Sequence, residues 1–248
     1  MTRKIALVTG AGKGIGLASA KQLIAGGRFV VLLDSKPIDI EKLGLSERDV
    51  LCFRGDVTDM GFMGRVREQT ESLHGPVSIL VNNAGISPKR ADGKSSGILD
   101  LTIEEWTAVL NVNLTAIMRI SQLFIPGMKD QGWGRIVNVS SLAGRSKSIV
   151  AGPSYMASKA GLLGLTRSIA SEMGAHGITA NCVAPGRIFT DMAMQAGEEV
   201  NRRYAEQIPV RRLGTADEVG AAIAFLCADT SGFINGATID INGGFFMS

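Results

Sequence analysis

The sequence contains little cysteine and little histidine. Its 248 residues include three cysteines and two histidines, and no Cys-x-x-Cys pair occurs. An odd, widely spaced set of cysteines does not suggest a disulfide framework, and without a His/Cys cluster we expect no metal site. Cys52 and Cys182 each stand in an apolar run, so we expect both thiols to be buried.

Aromatic residues and excess charge are also scarce. Aromatics make up 5% of the chain, and the formal net charge is only +3, with the basic residues scattered. Nucleic-acid-binding proteins concentrate basic residues on one stripe, so we expect no nucleic-acid partner. The apolar stretch near the N-terminus, Ile5–Val8, is too short for a signal peptide, and no run approaches the ~18 residues of a membrane span. We therefore expect a cytoplasmic protein with no membrane partner.

Glycine is abundant, at 31 residues, and two sequence patterns alternate along the chain. Short β-branched apolar runs predict strands that are buried on both faces, and stretches of helical periodicity separate them. The predicted strands are Ile5–Thr9, Phe29–Asp34, Val50–Arg54, Ile79–Asn82, Arg135–Val139, Thr179–Val183 and Thr238–Ile241. The predicted helices are Gly16–Ala25, Met60–Leu73, Ile103–Met128, Tyr155–Met173 and Ala216–Cys227. This alternation predicts an α/β fold: a doubly wound, mostly parallel Rossmann sheet of about seven strands with helices on both faces.

No linker or repeat interrupts the chain, so we expect a single domain spanning residues 1–248. Two stretches fit poorly as regular structure, Ser87–Leu99 and Arg187–Leu213. Both follow the carboxyl end of a predicted strand, where α/β sheets bind ligands. We interpret residues 187–213, with a short helix near Glu198–Gln207, as a substrate loop.

A glycine-rich turn follows the first strand and opens the first helix, with the sequence TGAGKGIG at Thr9–Gly16. Glycines let the backbone approach a pyrophosphate, and the helix N-terminus supplies free N–H groups. An alternative is a tight βα turn without a ligand. The turn is not a Walker A motif, because no Gly-Lys-Ser/Thr follows at the required spacing.

Asp34 ends the second strand, close to the ~20 residues after the glycine turn at which dinucleotide-binding proteins place a ribose-binding acid. A carboxylate at that position accepts hydrogen bonds from the adenosine ribose and repels a 2′-phosphate. We therefore predict NAD as the cofactor. NADP stays an alternative, because Lys13 and Lys36 are close enough to meet a phosphate.

Tyr155 and Lys159 are four residues apart on a predicted helix, so they share one face. An ammonium group near a tyrosine hydroxyl lowers the pKa of the phenol toward the range of an acid/base catalyst. A surface pair is the alternative. Serines follow the fifth strand at Ser140–Ser141, and Asn113 lies on an otherwise apolar helix, which calls for a buried polar partner.

These motifs together resemble the short-chain dehydrogenase/reductase family over essentially the whole chain. The matching segments are TGAGKGIG at Thr9–Gly16, GDV at Gly55–Val57, NNAG at Asn82–Gly85, NVNLT at Asn111–Thr115, YMASK at Tyr155–Lys159, and PG at Pro185–Gly186. The resemblance implies a catalytic set of Asn113, Ser141, Tyr155 and Lys159. With the glycine turn and Asp34, it implies that the cofactor is bound by Gly10, Gly12, Lys13, Gly14, Ile15, Gly16, Asp34, Asp56, Val57, Asn83, Ala84, Gly85, Tyr155, Lys159, Pro185, Gly186, Ile188 and Thr190.

The resemblance implies hydride transfer between NAD(H) and a secondary alcohol or ketone. Tyr155 would exchange the hydroxyl proton, Ser141 would orient the substrate oxygen, Lys159 would lower the pKa of the tyrosine, and Asn113 would hold a proton-relaying water. It also implies a homo-oligomer, most often a tetramer. Ser141 is preferred to Ser140 because Leu-Ala-Gly follows it, as is common in the family.

Several alternatives stay open. One is an NADPH-dependent 3-oxoacyl-thioester reductase, although the basic pair that carrier-protein reductases usually carry has no counterpart near Ser171 or Asp130–Gly132. Another is a non-catalytic NAD-binding regulator. An enoyl reductase would space its tyrosine and lysine further apart, and an epimerase would be longer.

We expect a small-molecule substrate. Basic residues around the pocket could attract a substrate that carries a negative charge. The residues that could form such a basic rim are Lys89, Arg90, Lys94, Arg145, Lys147, Arg187, Arg202 and Arg203. Ordinary solvated surface charge is the alternative.

Overall fold

The computed structural model describes residues 3–148, 150–190 and 197–247. Its centre is a sheet of seven parallel strands in the order β3-β2-β1-β4-β5-β6-β9. These strands are β1 (Ile5–Thr9), β2 (Phe29–Asp34), β3 (Val50–Arg54), β4 (Val77–Asn82), β5 (Gly134–Val139), β6 (Ile178–Pro185) and β9 (Thr238–Ile241). Two further strands, β7 (Ile188–Phe189) and β8 (Gly214–Thr215), pair with each other outside the main sheet. The predicted doubly wound fold is confirmed.

Helices cover both faces of the sheet. They are α1 (Gly14–Ala25), α2 (Met60–His74), α3 (Ile103–Leu110), α4 (Ala116–Gln131), α5 (Pro153–Met173), α6 (Glu198–Gln207) and α7 (Ala216–Leu226). Met63 of α2, Phe124 of α4 and Ile169 of α5 pack into the core on one face. Leu23 of α1 and Ile223 of α7 pack into the core on the other face. Alternate residues of each central strand serve the two cores, which explains why these strands are continuously apolar.

Strand β3 departs from the expected burial because it is an edge strand. Its exposure alternates along the chain, with Val50 buried and Cys52 exposed. The expectation that the Cys52 thiol is buried is therefore wrong, because β3 has a neighbouring strand on one side only. Cys182 lies on the central strand β6 and is buried as expected.

The helix predicted over Ile103–Met128 is interrupted by one turn of π-helix at Asn111–Thr115. A π turn inserts one residue into the α-helical repeat, and such turns often occur at functional sites. Periodicity could not predict it, because the sequence pattern is that of one uninterrupted helix.

The segment Ile103–Gln131 is apolar and long enough to cross a membrane, judged by its length and composition alone. This corrects the expectation that no stretch of the chain reaches that length. Within the described fold, Ile120, Phe124 and Met128 from this segment are buried in the core against the sheet. A helix that packs in a protein core has the same composition as a membrane span, so hydropathy alone does not separate the two.

Candidate active site

A cleft of about 970 Å³ lies at the carboxyl ends of the parallel strands. It contains every predicted catalytic and cofactor-binding residue except Gly12, Gly16 and Asn113. This is the edge at which open α/β sheets bind ligands, because the loops that leave neighbouring strands converge there.

The glycine-rich turn forms one end of the cleft. Gly10 and Gly14 have positive φ angles of 64° and 56°, a backbone region that favours glycine. Gly16 does not line the cleft, but a Cβ atom at this position would lie 2.1 Å from the carbonyl oxygen of Gly10. Helix α1 begins at Gly14 without a side-chain cap. Its first N–H groups therefore remain suited to an anion.

Asp34 lies beside this turn and is held by two backbone donors. Its Oδ2 accepts a hydrogen bond from the N–H of Gly12 at 2.9 Å, and its Oδ1 accepts one from the N–H of Lys36 at 3.0 Å. A Cβ atom on Gly12 would lie 3.0 Å from Asp34 Oδ2, so only glycine fits without displacing the carboxylate. Gly12 thus positions Asp34 from outside the cleft.

Thr9 and Asn83 tie the ends of β1 and β4 together. The Asn83 side-chain amide donates to the carbonyl oxygens of Thr9 and Gly10 at 2.9 and 3.0 Å. In return, Thr9 Oγ1 accepts from the backbone N–H groups of Asn83 and Ala84 at 3.0 and 3.1 Å. These four bonds fix the glycine turn against the Asn-Ala-Gly segment on the cleft floor.

Tyr155, Ser141 and Lys159 meet at the other end of the cleft. Tyr155 lies in the first turn of α5, which begins at Pro153, and Lys159 follows one turn later. The Lys159 Nζ lies 5.6 Å from the centroid of the Tyr155 ring. Ser141 lies close enough to the Tyr155 hydroxyl to lower its pKa in part, and Ser141 Oγ accepts a hydrogen bond from the N–H of Ala143 at 3.1 Å.

Burial sets the pKa of both titratable groups. It raises the pKa of the Tyr155 hydroxyl, and Ser141 lowers it in part. Burial also lowers the pKa of Lys159 to about 8, with the Cys182 thiol acting in the opposite direction. The Lys159 ammonium donates to the carbonyl oxygen of Val139 at 2.7 Å. The predicted lowering of the Tyr155 pKa is therefore absent here, because desolvation outweighs the other influences.

Asn113 is fully buried on the π turn, behind the cleft wall. Its Oδ1 accepts from the N–H of Ile86 at 2.8 Å, and its Nδ2 donates to the carbonyl oxygen of Ile86 at 2.9 Å. Nδ2 also reaches Ser158 Oγ at 3.2 Å. The amide is thus committed to the loop after β4 and to α5 rather than open to the cleft.

The basic rim divides into two groups. Lys89, Lys147 and Arg187 line the cleft. The others do not, and most of them pair with carboxylates: Arg90 with Asp92 and Asp100, Arg145 with Asp240, Arg202 with Glu199 and Glu206, and Arg203 with Glu199. Lys94 also lies outside the cleft lining.

The structure adds residues that sequence analysis missed. Tyr204 and Gln207 of α6 line the cleft, and Phe245 approaches Tyr204 with ring centroids 5.9 Å apart. The spacing of Tyr204 and Gln207 on a predicted helix was an available signal, since positions i and i+3 share a face. The contact with Phe245 depends on the C-terminal chain path and had no local signal. Within the predicted substrate loop, residues 191–196 lie outside the described residues.

Comparison with known proteins gives consistent matches over the whole chain. The family model described as enoyl-(acyl carrier protein) reductase matches residues 10–246. The acetoacetyl-CoA reductase of Shinella zoogloeoides is 39% identical, over 98% of this chain and 99% of that protein. The 3-oxoacyl-[acyl-carrier-protein] reductase FabG of Haemophilus influenzae is 35% identical over 100% of both chains. A crystal structure of a 3-oxoacyl-[acyl-carrier protein] reductase with bound NAD from Brucella melitensis has a TM-score of 0.90 and 32% identity, covering 100% of this chain and 92% of that one.

Proposed function

The chain belongs to the short-chain dehydrogenase/reductase family and is an NAD(P)-dependent oxidoreductase, and from this premise we propose that it transfers a hydride between NAD(H) and a secondary alcohol or ketone. The observation that carries the proposal is the meeting of Tyr155, Ser141 and Lys159 in one cleft with an uncapped, glycine-rich helix N-terminus. Proton exchange and phosphate binding are thereby available in a single site.

The residues present fit a dinucleotide. The glycine turn leaves room for a pyrophosphate where side chains would clash, and Asp34 offers a carboxylate suited to a ribose diol. We assign cofactor binding to the predicted residues that line the cleft, and backbone shaping to Gly12 and Gly16. NAD is preferred because the Asp34 carboxylate would repel a 2′-phosphate. When bound, the nicotinamide supplies the hydride donor or acceptor.

The protein moves the proton. In alcohol oxidation, the O–H bond breaks and its proton goes to a Tyr155 phenolate, while the carbinol C–H bond gives up its hydrogen with both electrons. In ketone reduction, Tyr155 returns the proton to the carbonyl oxygen, which Ser141 holds by a hydrogen bond. Burial keeps the Tyr155 phenol protonated, so the resting site is prepared for the reduction direction. Asn113 acts as a positioning residue, because it holds the loop after β4 against α5.

A second candidate is reduction of a 3-oxoacyl thioester with NADPH. It draws support from relatives named as acetoacetyl-CoA and 3-oxoacyl-[acyl-carrier-protein] reductases, and from Lys13 and Lys36, which line the cleft near Asp34. Enoyl reduction is disfavoured, although the matching family model carries that description, because Tyr155 and Lys159 lie only four residues apart.

We extend the proposal to the whole molecule. Residues 1–248 form a single unit with a substrate loop at about 187–213, and the protein acts in the cytoplasm as a homo-oligomer, most simply a tetramer. Exposed apolar side chains such as Phe233 and Met247 support self-association. Light scattering on the purified protein tests this, and a monomer at micromolar concentration would contradict it.

Tyr155→Phe tests the mechanism. The variant should bind NADH as the wild type does, while turnover of a panel of secondary alcohols and ketones falls by at least a hundredfold, in the range for loss of a general acid/base. Thermal unfolding serves as the control for folding. Turnover within tenfold of the wild type would overturn the assignment of Tyr155.

A further inference from the structure

The residues that follow β9 lie at the end of the cleft that contains Ser141. We call Asn242–Met247 the C-terminal tail. The ring centroid of Phe246, in this tail, lies 5.2 Å from the guanidinium carbon of Arg145. Arg145 comes four residues after Ser141 and forms an ion pair with Asp240 of β9. The tail is therefore joined to the segment that carries the proposed substrate-binding serine.

The tail has a fixed shape. The side chain of Asn242 is buried, and its Oδ1 accepts a hydrogen bond from the N–H of Gly244 at 2.9 Å. Its Nδ2 donates to the carbonyl oxygen of Phe246 at 3.0 Å. The N–H of Gly186, directly after β6, donates to the carbonyl oxygen of Ile241 at 2.9 Å. These bonds hold the tail in a turn beside the end of β6.

The tail also contacts the chain that leaves α6. The N–H of Val210 donates to the carbonyl oxygen of Gly243 at 3.3 Å. A Cβ atom on Gly243 would lie 2.6 Å from Val210 Cγ2 and 2.7 Å from Ile208 Cγ2. Gly243 also has a φ of 64°, which favours glycine. Glycine at this position therefore lets the tail pack directly against the buried Ile208.

Helix α6 has few other anchors. Among its residues, all of which the structure describes, only Asn201 is buried, and Asn201 bonds to Arg187. The arginines of α6 pair with glutamates of the same helix. The ring of Tyr204 lies 5.9 Å from the ring of Phe245, measured between centroids. Because a helix with so little buried surface is positioned by its neighbours, the contacts of the tail with Tyr204 and Ile208 set the place of α6.

We propose that the C-terminal tail fixes α6 across the substrate end of the cleft, and that Phe245 with Tyr204 limits the chain length of the ketone or alcohol substrate. The inference rests on the proposed function, since it uses the same cleft and the same reaction. Both rings line a cleft of about 970 Å³ that the cofactor and the substrate must share. The preferred substrates are therefore short-chain ketones and secondary alcohols.

Limited digestion of the purified full-length protein with trypsin tests the position of α6 without any turnover. The trypsin sites in α6 and just after it are Arg202, Arg203, Arg211 and Arg212. Cleavage at these sites requires local opening of the helix. In Phe245→Ala the rate of cleavage should rise by about fivefold or more, because the open form no longer competes with the ring contact.

Two variants and an internal reference accompany the digestion. Phe245→Tyr keeps the ring and should be cleaved at the wild-type rate. Met247→Ala changes an exposed side chain of the same tail and should also leave the rate unchanged. Cleavage after Lys129 of α4 is the reference, because a global loss of stability would accelerate it as well.

A turnover test measures the limit on chain length. The substrates are methyl 3-oxobutanoate, methyl 3-oxohexanoate and methyl 3-oxooctanoate, with NADH or NADPH, whichever binds more tightly. The wild type should have its highest kcat/KM with the shortest ester. Phe245→Ala should raise the ratio of kcat/KM for the longest ester to that for the shortest by about tenfold or more, the discrimination that one or two methylenes provide. In Phe245→Tyr and Met247→Ala this ratio should stay within about twofold of the wild type.

Each failure has a distinct meaning. Unchanged cleavage near α6 in Phe245→Ala, or an equal rise in Met247→Ala, would overturn the role of the tail. A wild-type preference for the longest ester, or an unchanged ratio in Phe245→Ala, would overturn Phe245 as the residue that limits chain length. If no ketone is reduced in a Tyr155-dependent way, the proposed function itself fails, and the trypsin result still decides whether the tail positions α6.

Discussion

The Asp34 side chain both anchors the backbone of the glycine-rich turn and lines the part of the cleft that is suited to a ribose. Its carboxylate accepts hydrogen bonds from Gly12 and Lys36, and it lines the cleft where a ribose would bind. Replacing it with alanine should weaken NADH binding by about tenfold to a hundredfold, because the ribose loses a charged acceptor. NADPH binding should weaken less, since the repulsion of a 2′-phosphate disappears. Fluorescence titration with both nucleotides measures the ratio.

Asp39→Ala is the matched control for Asp34→Ala. Asp39 is exposed, its contacts are with Lys42, and it does not line the cleft. The control should bind both nucleotides as the wild type does. Equal losses of NADH and NADPH in Asp34→Ala would assign Asp34 to the structure of the turn alone.

Lys159 gives the cofactor-free protein a definite pH dependence. Burial lowers its pKa in the folded state from 10.5 to about 8. Between these values the unfolded chain holds a proton that the folded protein has released, so the free energy of unfolding rises with pH. The free energy of unfolding of the wild type should rise relative to that of Lys159→Met by no more than about 1.4 kcal/mol per pH unit.

Urea unfolding at pH 7 to 9.5 measures this effect. Lys129→Met is the control, because Lys129 is exposed in the last turn of α4. The free energy of unfolding of Lys129→Met should change with pH in the same way as that of the wild type between pH 7 and 9.5. If the difference in free energy of unfolding between the wild type and Lys159→Met did not vary with pH, the pKa of Lys159 would be the same in the folded and unfolded states.

Individual site residues differed in how far the sequence could predict them. Tyr155 and Lys159 were predictable because their spacing on one helix is local. Lys89 and Arg187 could be recognised only as two of eight basic residues. Whether an arginine faces the cleft or a carboxylate depends on partners distant in sequence, as the pairing of Arg145 with Asp240 shows.

Among the elements, the π turn at Asn111–Thr115 carries the largest expected effect on stability. Asn113→Ala leaves both the N–H and the carbonyl oxygen of Ile86 without their side-chain partner in a partly buried place. We expect the free energy of unfolding to fall by about 2–4 kcal/mol. NADH affinity should fall with it, because the loop after β4 loses its anchor.

Asn111→Ala separates this effect from the conformation of the turn. Asn111 belongs to the same turn but is exposed, so its variant should stay within about 0.5 kcal/mol of the wild type. Chemical denaturation of both variants provides the comparison. Similar losses in the two would assign the effect to the backbone of the turn rather than to the Asn113 amide.

The sequence predicted long elements well and short or irregular ones poorly. Strands β1, β2, β3 and β9 begin and end at the predicted residues, although only β1 and β2 are buried over almost their whole length. The pair β7–β8 has two residues in each strand and produces no periodicity. In the π turn, Asn113 bonds to Ile86 and Ser158, which lie outside its own helix, and local patterns do not contain that information.

At the scale of the whole molecule, the N-terminal edge of the sheet is closed by a cluster of charges opposite the cleft. Lys4 and Arg28 form ion pairs with Asp229, and Lys4 also lies 3.4 Å from the centroid of the Trp133 ring. Arg135 lies over the same ring. The cluster joins the first strands to the segment after α7, across most of the chain length.

Asp229→Asn should destabilise the protein by about 1 kcal/mol at neutral pH, the size of an exposed ion pair. The hydrogen bond from Lys4 is the main cause that lowers the pKa of Asp229 below 3.8. The contribution of the Asp229 carboxylate to the free energy of unfolding is therefore fully present above about pH 5. It is lost as the pH falls through the lowered pKa of Asp229. Thermal unfolding at pH 7 and pH 3 measures both values.

Asp130→Asn is the control for the charge cluster. Asp130 is exposed near the end of α4 and has no ion pair among residues 3–148, 150–190 and 197–247. Its variant should unfold near the wild-type temperature at both pH values. A difference in unfolding temperature between the wild type and Asp229→Asn that is as large at pH 3 as at pH 7 would show that the carboxylate charge is not the cause.

The fold as a whole could be predicted because every level of the sequence agrees. Continuous apolar strands, helices with one apolar face and glycine at the first turn all require the same doubly wound sheet. The membrane-like composition of Ile103–Gln131 shows the limit of such patterns. Only the packing of Phe124 and Met128 reveals that part of this apolar surface belongs to the core.

The π turn also constrains how the length of this chain can change during evolution. One residue added to or removed from an α-helix rotates everything beyond it by about 100°. Asn113 must face Ile86 while Ile120 and Phe124 face the sheet, and the extra residue of the turn reconciles these two directions. A single deletion in the α-helical part of this stretch, between Ala116 and Phe124, would rotate Phe124 away from the sheet. Insertions and deletions here should therefore survive only in steps of three or four residues, so this stretch is inherited at a nearly fixed length.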